Sequence, residues 1–393
     1  MASLIYLDNN ATTKPAPEVL AAVQICGEEC WGNPSSLHLA GRKASEAIDR
    51  ARAQAAALIH AVRPGEIAFT SGGTEGNNTA VRGILAARQG KRHIVTSAVE
   101  HSSVLHCCRA LEKEGYRVTV LPVLRTGALD MQCLADALDD ETAVVSLMWA
   151  NNETGTIFPI ERIAALCRQR GIPLHTDAVQ AAGKIPIDVQ AVPVDCLTVS
   201  GHKFHATKGV GFLYLRRGTP FRPLIVGGGQ EGGRRAGTEN VPQIVGLGVA
   251  CELALRCVSG PNAAMQTAAL RRDRFERELR ARVTGMHVNG DPAARVPNTT
   301  NVSIEEVDGE AMVLQFSDAG VCCSTGSACS SGSMEPSHVL TAMQLPPPLL
   351  RGILRFSFSR YTTDTEIDRA LDIIPQIVDR LRVLQPKSAK FSL

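Results

Sequence analysis

Along most of the chain, short and almost unbroken apolar runs alternate with longer stretches whose apolar residues recur every third or fourth position. Runs of the first kind lie at 66–69, 93–96, 117–121, 143–148, 172–175, 196–199 and 211–215. They are of strand length and carry few polar residues, which predicts strands buried on both faces. Stretches of the second kind, at 17–29, 44–60, 77–87, 102–114, 129–138, 160–170 and 241–256, predict helices. Strand and helix in alternation imply a mostly parallel sheet with helices on both sides. The alternation stops at Ser259-Gly260-Pro261-Asn262. Beyond it the pattern predicts a long charged helix (263–283), a short strand near 301–304, a helix (309–319), a strand at 355–357 and a last helix (364–382), a smaller α+β unit. The expected organisation is therefore an N-terminal segment (1–15) packing with the small domain, a large α/β domain (16–259) and a small C-terminal domain (260–393).

The polar clusters follow the predicted strands. Glu100-His101 comes after 93–96, Asn151-Asn152-Glu153 after 143–148, Asp177 and Gln180 after 172–175, and Lys203 after 196–199. Open α/β sheets bind ligands beyond the carboxyl ends of their strands. Each residue alone has an ordinary reading: an asparagine turn, an aspartate cap, a core histidine, a solvated surface lysine. Four strand ends in register are harder to dismiss. Thr70-Ser71-Gly72-Gly73-Thr74-Glu75 stands between a strand and a helix, where free N–H groups and the helix dipole suit a phosphate. It matches neither the dinucleotide fingerprint nor the phosphate-loop pattern of nucleotidases, and Ser71 or Thr74 as a plain N-cap is the competing reading.

This donor set suits pyridoxal 5'-phosphate, which needs a lysine for a Schiff base, an acid at its ring nitrogen and donors for its phosphate. Lys203 supplies the amine; desolvation favours its neutral, nucleophilic form. Asp177 is the acid that keeps the ring nitrogen protonated. Gln180 and Asn152 reach the ring hydroxyl or the substrate carboxylate, and His101 stacks on the ring and moves protons. Gly73, Thr74, Ser200 and His202 hold the phosphate.

Composition narrows the class. The 393 residues carry a formal charge of only +2 with no basic block, which points away from nucleic acid. No apolar run nears the ~20 residues of a membrane span. The start of the chain has no basic, then apolar, leader, and 12 scattered cysteines suggest free thiols in a reducing, cytoplasmic setting. No Cys-x-x-Cys pair supports a zinc site. The loop Gly227-Gly228-Gly229-Gln230-Glu231-Gly232-Gly233-Arg234-Arg235 is either a flexible linker or a loop whose arginines meet an anion or a neighbouring subunit.

Several motifs go further: Tyr6-Leu7-Asp8-Asn9-Asn10-Ala11-Thr12-Thr13, Gly32-Asn33-Pro34-Ser35-Ser36-Leu37-His38, Asn151-Asn152-Glu153-Thr154-Gly155, His175-Thr176-Asp177-Ala178-Val179-Gln180, Ser200-Gly201-His202-Lys203, Arg234-Arg235-Ala236-Gly237-Thr238-Glu239-Asn240 and Gly326-Ser327-Ala328-Cys329. With these and the 70–75 loop, the chain resembles the fold-type I pyridoxal-phosphate enzymes over essentially its whole length. Among them it resembles the cysteine desulfurases of the nitrogen-fixation group. The resemblance implies that sulfur is removed from L-cysteine to give L-alanine and a persulfide on Cys329, and that it passes to an iron–sulfur scaffold protein for nitrogenase metalloclusters. It implies Lys203 as the cofactor lysine, Arg355 as a clamp for the substrate carboxylate, and Thr238 reaching the phosphate of the other subunit of a homodimer. It implies no resident metal, with Cys329 at most a transient ligand to an iron–sulfur cluster. Two features depart from the family pattern. Cys322-Cys323 stands close before Cys329, where buried, inert thiols compete with a role in sulfur transfer. Gly73 and Gly76 make the phosphate loop unusually rich in glycine. A transaminase or other β-eliminating enzyme of this fold would keep Lys203 and Asp177 without needing Cys329, and a non-enzymatic scaffold or thiol metal carrier would need no cofactor.

Overall fold

A computed structural model describes residues 4–260, 263–326 and 336–384. In chain order, its first part comprises β1 (Ile5–Tyr6), α1 (Pro17–Glu29), α2 (Leu39–Leu58), β2 (Ile67–Thr70), α3 (Gly73–Ala87), β3 (His93–Ser97), α4 (Ser102–Lys113), β4 (Arg117–Leu121), α5 (Met131–Ala137), β5 (Thr142–Ser146), α6 (Ile160–Gln169), β6 (Leu174–Asp177), β7 (Cys196–Ser200), β8 (Gly211–Leu215) and α7 (Val241–Val258). The second part comprises α8 (Ala264–Arg282), β9 (Met286–Asn289), β10 (Thr299–Ile304), α9 (Gly309–Asp318), β11 (Val321–Cys322), α10 (His338–Ala342), α11 (Pro347–Arg351), β12 (Ile353–Ser357) and α12 (Asp364–Leu384).

Seven strands form the large sheet in the order β2-β8-β7-β6-β5-β3-β4. β7, β6, β5, β3 and β4 run parallel, while β8 pairs antiparallel with both β7 and β2. Every residue of β2, β3, β5, β6, β7 and β8 is buried, which is why these strands read as unbroken apolar runs. The helices bury single stripes. In α6 these are Ile160, Ile163, Ala164 and Cys167, the spacing of one helix face. α7 qualifies one sequence expectation: its 18 residues are long and apolar enough to cross a membrane by length and composition alone. Half of that length is buried, packed on α1 and α2.

The second sheet is antiparallel, in the order β12-β10-β9, and its core holds Phe275, Phe316, Phe356 and Phe358. The N-terminal residues Ile5 and Leu7 lie in this same core, because β1 pairs in parallel with β11 at the far end of the sequence. From there the chain runs to the large sheet, placing residues 8–13 between the two cores.

Candidate active site

The carboxyl ends of β6 and β7 carry the main groups. Asp177, the last residue of β6, is buried; its Oδ1 accepts from Val179 N at 2.9 Å and its Oδ2 from Asn77 Nδ2 at 2.7 Å. Asn77 Nδ2 also donates to Ser103 Oγ at 2.8 Å. The Ser103 hydroxyl and main-chain N–H meet His101 Nδ1 at 2.8 and 3.1 Å. Because Nδ1 accepts from an N–H, the neutral His101 ring carries its hydrogen on Nε2. Asp177 and His101 are thus braced through Asn77 and Ser103. Sequence reasoning missed these two, although Asn77 shares the buried stripe of α3 with Ala80, Val81 and Ile84, and a polar residue on such a stripe is a signal.

Lys203 ends the short 3-10 turn Gly201–Lys203 that follows β7. It is not a solvated surface lysine: Nζ donates to the main-chain oxygens of Asn10 and Ala11 at 2.7 and 2.9 Å. Gln180 Nε2 donates to the same Asn10 oxygen at 3.1 Å. His202 faces Thr12 Oγ1 at 3.0 Å, and its own carbonyl accepts from Thr13 N and Oγ1, both at 2.9 Å. Burial, with Lys203, Lys208 and Lys184 nearby, lowers the His202 pKa to about 4, so the ring is neutral near pH 7.

Arg355, in β12, is 2% exposed. Its Nη2 pairs with Asp8 Oδ1 at 2.9 Å, its Nη1 donates to the Asn152 main-chain oxygen at 3.0 Å, and its buried Nε has no partner among the described residues. That oxygen also accepts from Asn10 Nδ2 at 3.2 Å. Next to Asn152, Glu153 is enclosed and accepts from Ser337 Oγ at 2.5 Å; burial raises its pKa. Glu100 is likewise buried, held by Ser97 Oγ and Met148 N, with its pKa raised to about 8.

The start of α3 does not follow the competing reading of a side-chain cap. Neither Ser71 nor Thr74 caps it. The N-cap is Gly72 at φ 145°, a conformation other residues adopt only under strain, and no side chain caps the first turn. The N–H groups of that turn have no intrahelical acceptor. Ser200 Oγ faces this point, 3.5 Å from where a Cβ on Gly72 would sit. Gly76, by contrast, serves packing: a Cβ there would come within 2.6 Å of Thr198 on β7. Thr238 is exposed, and among the described residues it joins none of these hydrogen bonds. Cys329 lies outside the described residues. Cys323 is buried and Cys322 partly so, and burial raises the pKa of both thiols, which favours the inert reading.

The residues present fit pyridoxal phosphate. An uncapped glycine-led helix start faces a serine hydroxyl, a buried carboxylate is braced at one strand end, and an amine follows the neighbouring strand. The partnerless Nε of Arg355 is a further buried donor.

The family model for class-V aminotransferases matches residues 5–370. A cysteine desulfurase from Trichormus azollae is 52% identical over 384 residues, 98% of this chain and 95% of that protein. The cysteine desulfurase NifS of Azotobacter vinelandii is 49% identical over 382 residues, 97% of this chain and 94% of its own. Among solved structures, a NifS-like protein superposes with a TM-score of 0.90 at 36% identity, covering 96% of this chain and 100% of that one. The chain belongs to the class-V aminotransferase family, in its pyridoxal-phosphate-dependent, NifS-like cysteine desulfurase branch.

Proposed function

We propose that this protein takes sulfur from L-cysteine, releasing L-alanine and leaving the sulfur as a persulfide on Cys329 for delivery to an iron–sulfur scaffold protein. Family membership supports the reaction. The observation that carries the assignment of residues is the convergence of Lys203, Gln180 and, through Asn152, Arg355 on the segment Asp8–Ala11. When bound, pyridoxal phosphate supplies a carbonyl carbon for covalent capture and a protonated ring that takes up electrons from the substrate α-carbon.

The roles of the chain's own groups follow. Lys203 Nζ would hold the cofactor and, when its amine is free, would be the base at the substrate α-carbon. Asp177 holds the proton on the ring nitrogen, and Asn77 keeps its carboxylate in place. His101 Nε2 is the hydrogen-bearing nitrogen and serves proton transfer. The first turn of α3 at Gly73 and Thr74, with Ser200 and His202, takes the phosphate. Arg355 takes the substrate carboxylate, with Asn152 beside it. The Cys329 thiolate attacks the substrate sulfur. The S–Cβ bond breaks, the new S–S bond forms, and a proton completes the methyl group of alanine. Nothing else is consumed. The proposal extends to a homodimer in which the exposed Thr238 reaches the partner's phosphate, and to a cytoplasmic setting.

The test follows alanine and protein-bound sulfur together. With cysteine, the wild type should form alanine and add one sulfur mass to the peptide containing Cys329. Cys329→Ala should still change its visible spectrum with cysteine but release no alanine. Normal alanine release by Cys329→Ala, or added sulfur mainly on Cys322 or Cys323, would refute the role of Cys329.

A further inference from the structure

Lys184 is 5% exposed, and none of the roles above uses it. Its Nζ donates to Asn10 Oδ1 at 2.9 Å and, in a short bond, to Gln180 Oε1. Both acceptors are amide oxygens. A reversed Gln180 amide would set N–H groups against the amine, so Lys184 selects one of the two orientations. For an ammonium, which has no acceptor, this selection is strict. A neutral amine, favoured here because burial and the nearby Lys203 and Arg355 push Lys184 well below the usual lysine range, keeps it by directing both of its hydrogens at Asn10 Oδ1 and Gln180 Oε1. Among the described residues His202 and His205 also feel its charge.

With its oxygen held, Gln180 has only Nε2 to offer the site, and this nitrogen donates to the Asn10 main-chain oxygen. Lys203 Nζ donates to that same oxygen. The Gln180 donor and the Lys203 amine therefore lie side by side on one acceptor. In pyridoxal phosphate the ring carbon bearing the hydroxyl is next to the one bearing the aldehyde. A donor beside the capturing lysine, with the phosphate donors assigned to the start of α3, would be within reach of the ring oxygen. Asn10 is fixed in the same way: its Oδ1 takes Lys184 and Asn298, leaving Nδ2 for Thr299 Oγ1 and the Asn152 oxygen.

We propose that Lys184 is a positioning residue: by holding Gln180 Oε1 it fixes Gln180 as a hydrogen-bond donor toward the ring oxygen of the cofactor bound at Lys203. The proposal rests on the assignment of Lys203 made above. A donor at that oxygen stabilises its anionic form and eases loss of the neighbouring proton. Without the lock only the bond from Nε2 to the Asn10 oxygen opposes a reversed amide, which would place Oε1 against an anion.

The experiment is a pH titration of the visible absorbance of the cofactor-loaded protein, read beside its melting temperature. In Lys184→Met the titration midpoint should rise by about one pH unit, a tenfold change in the proton equilibrium. Gln180→Ala should raise it similarly, and the double variant no further than Gln180→Ala alone, since one residue acts through the other. Lys184→Gln, which keeps an amide donor, should fall between wild type and Lys184→Met, and it serves if the methionine variant does not fold. An unchanged midpoint in a folded Lys184 variant, or shifts that add in the double variant, would overturn the proposal. Borohydride reduction of the wild type separates the two claims. A label on a lysine other than Lys203 removes the assignment itself, whereas a label on Lys203 with additive shifts removes only the role of Lys184.

Discussion

Two histidines near the site illustrate how a single hydrogen bond sets what an imidazole does. His101 accepts from the Ser103 N–H at Nδ1 and so presents a hydrogen at Nε2. His205 faces the Lys14 carbonyl with Nδ1 at 2.8 Å, so it must donate there. His205 is buried at φ 75°, edge-on to Tyr361 with 4.9 Å between ring centroids, and its pKa is lowered to about 4, chiefly by burial. A histidine depressed from its ordinary 6.5 contributes stability that is fully present above that value and is lost as the pH falls toward 4, because the unfolded chain takes up the proton first. His205→Asn keeps a residue that tolerates this backbone conformation and removes the titration. The melting temperature of the wild type should exceed that of the variant most above pH 6.5, and the gap should shrink steadily on acidification to pH 4. A constant gap would show that His205 titrates normally in the fold.

At the level of elements, the alternation of apolar runs and helical stretches was legible because the large sheet is buried on both faces. A fully buried strand leaves an unbroken signature in the sequence. β1, β9 and β11 were not legible: each is too short to show a period, and two of them form by pairing across more than three hundred residues. The direction of β8 was also hidden, since burial is the same for parallel and antiparallel neighbours. In the site, the strand-end residues were visible as polar breaks after apolar runs, but their braces were not. Lys184 and Ser103 carry no pattern of their own. They matter only because the fold turns them toward Gln180 and His101. At the α3 start the competing reading, a serine or threonine cap, is the one that falls. Serine and threonine are the usual caps, yet the helix begins through Gly72, and the glycines divide into two tasks. Gly72 gives the backbone an extended conformation at positive φ that only glycine adopts readily, and Gly76 lets α3 lie against Thr198. Gly76→Ala should therefore cost about 1–3 kcal/mol of stability from overpacking. Gly65→Ala, with nothing within 4 Å of its added methyl, should cost little. Urea unfolding of both variants decides this; equal stability would mean that α3 shifts without penalty.

On the scale of the whole molecule, the two parts meet through the backbone of the N-terminal segment as well as through apolar side chains, since Val296, Leu340, Met343 and Ile353 lie in the core of the large sheet. Residues 7–13 pair with β12 on one side, where Asn9 N and Nδ2 both donate to the Ser357 carbonyl and Ser357 N donates to Leu7 O. On the other side Thr13 binds the His202 carbonyl and Ala16 N the His205 carbonyl. Asn10 stands at the middle. It touches Ser357 and Thr299 of the small sheet, and Lys184, Gln180 and Lys203 of the large one. The groups that would meet the cofactor bond this asparagine directly, and the arginine that would meet the substrate reaches it through the Asn152 oxygen. Asn10→Ala keeps the main-chain oxygen that Lys203 and Gln180 use, but strips a partner from the buried Lys184, Asn298 and Thr299. Leaving such polar groups unsatisfied, the Lys184 and Asn298 donors and the Thr299 acceptor, costs about 1–3 kcal/mol each, with partial relief as neighbours rearrange. The expected outcome is a stability loss of about 2–4 kcal/mol in urea. Faster amide exchange in β12 and in the 201–203 turn should accompany it, because both are tied through this residue. If Asn10→Ala loses stability while exchange in β12 and the turn stays as slow as in the wild type, the N-terminal segment is a passenger on two rigid cores, not the tie between them.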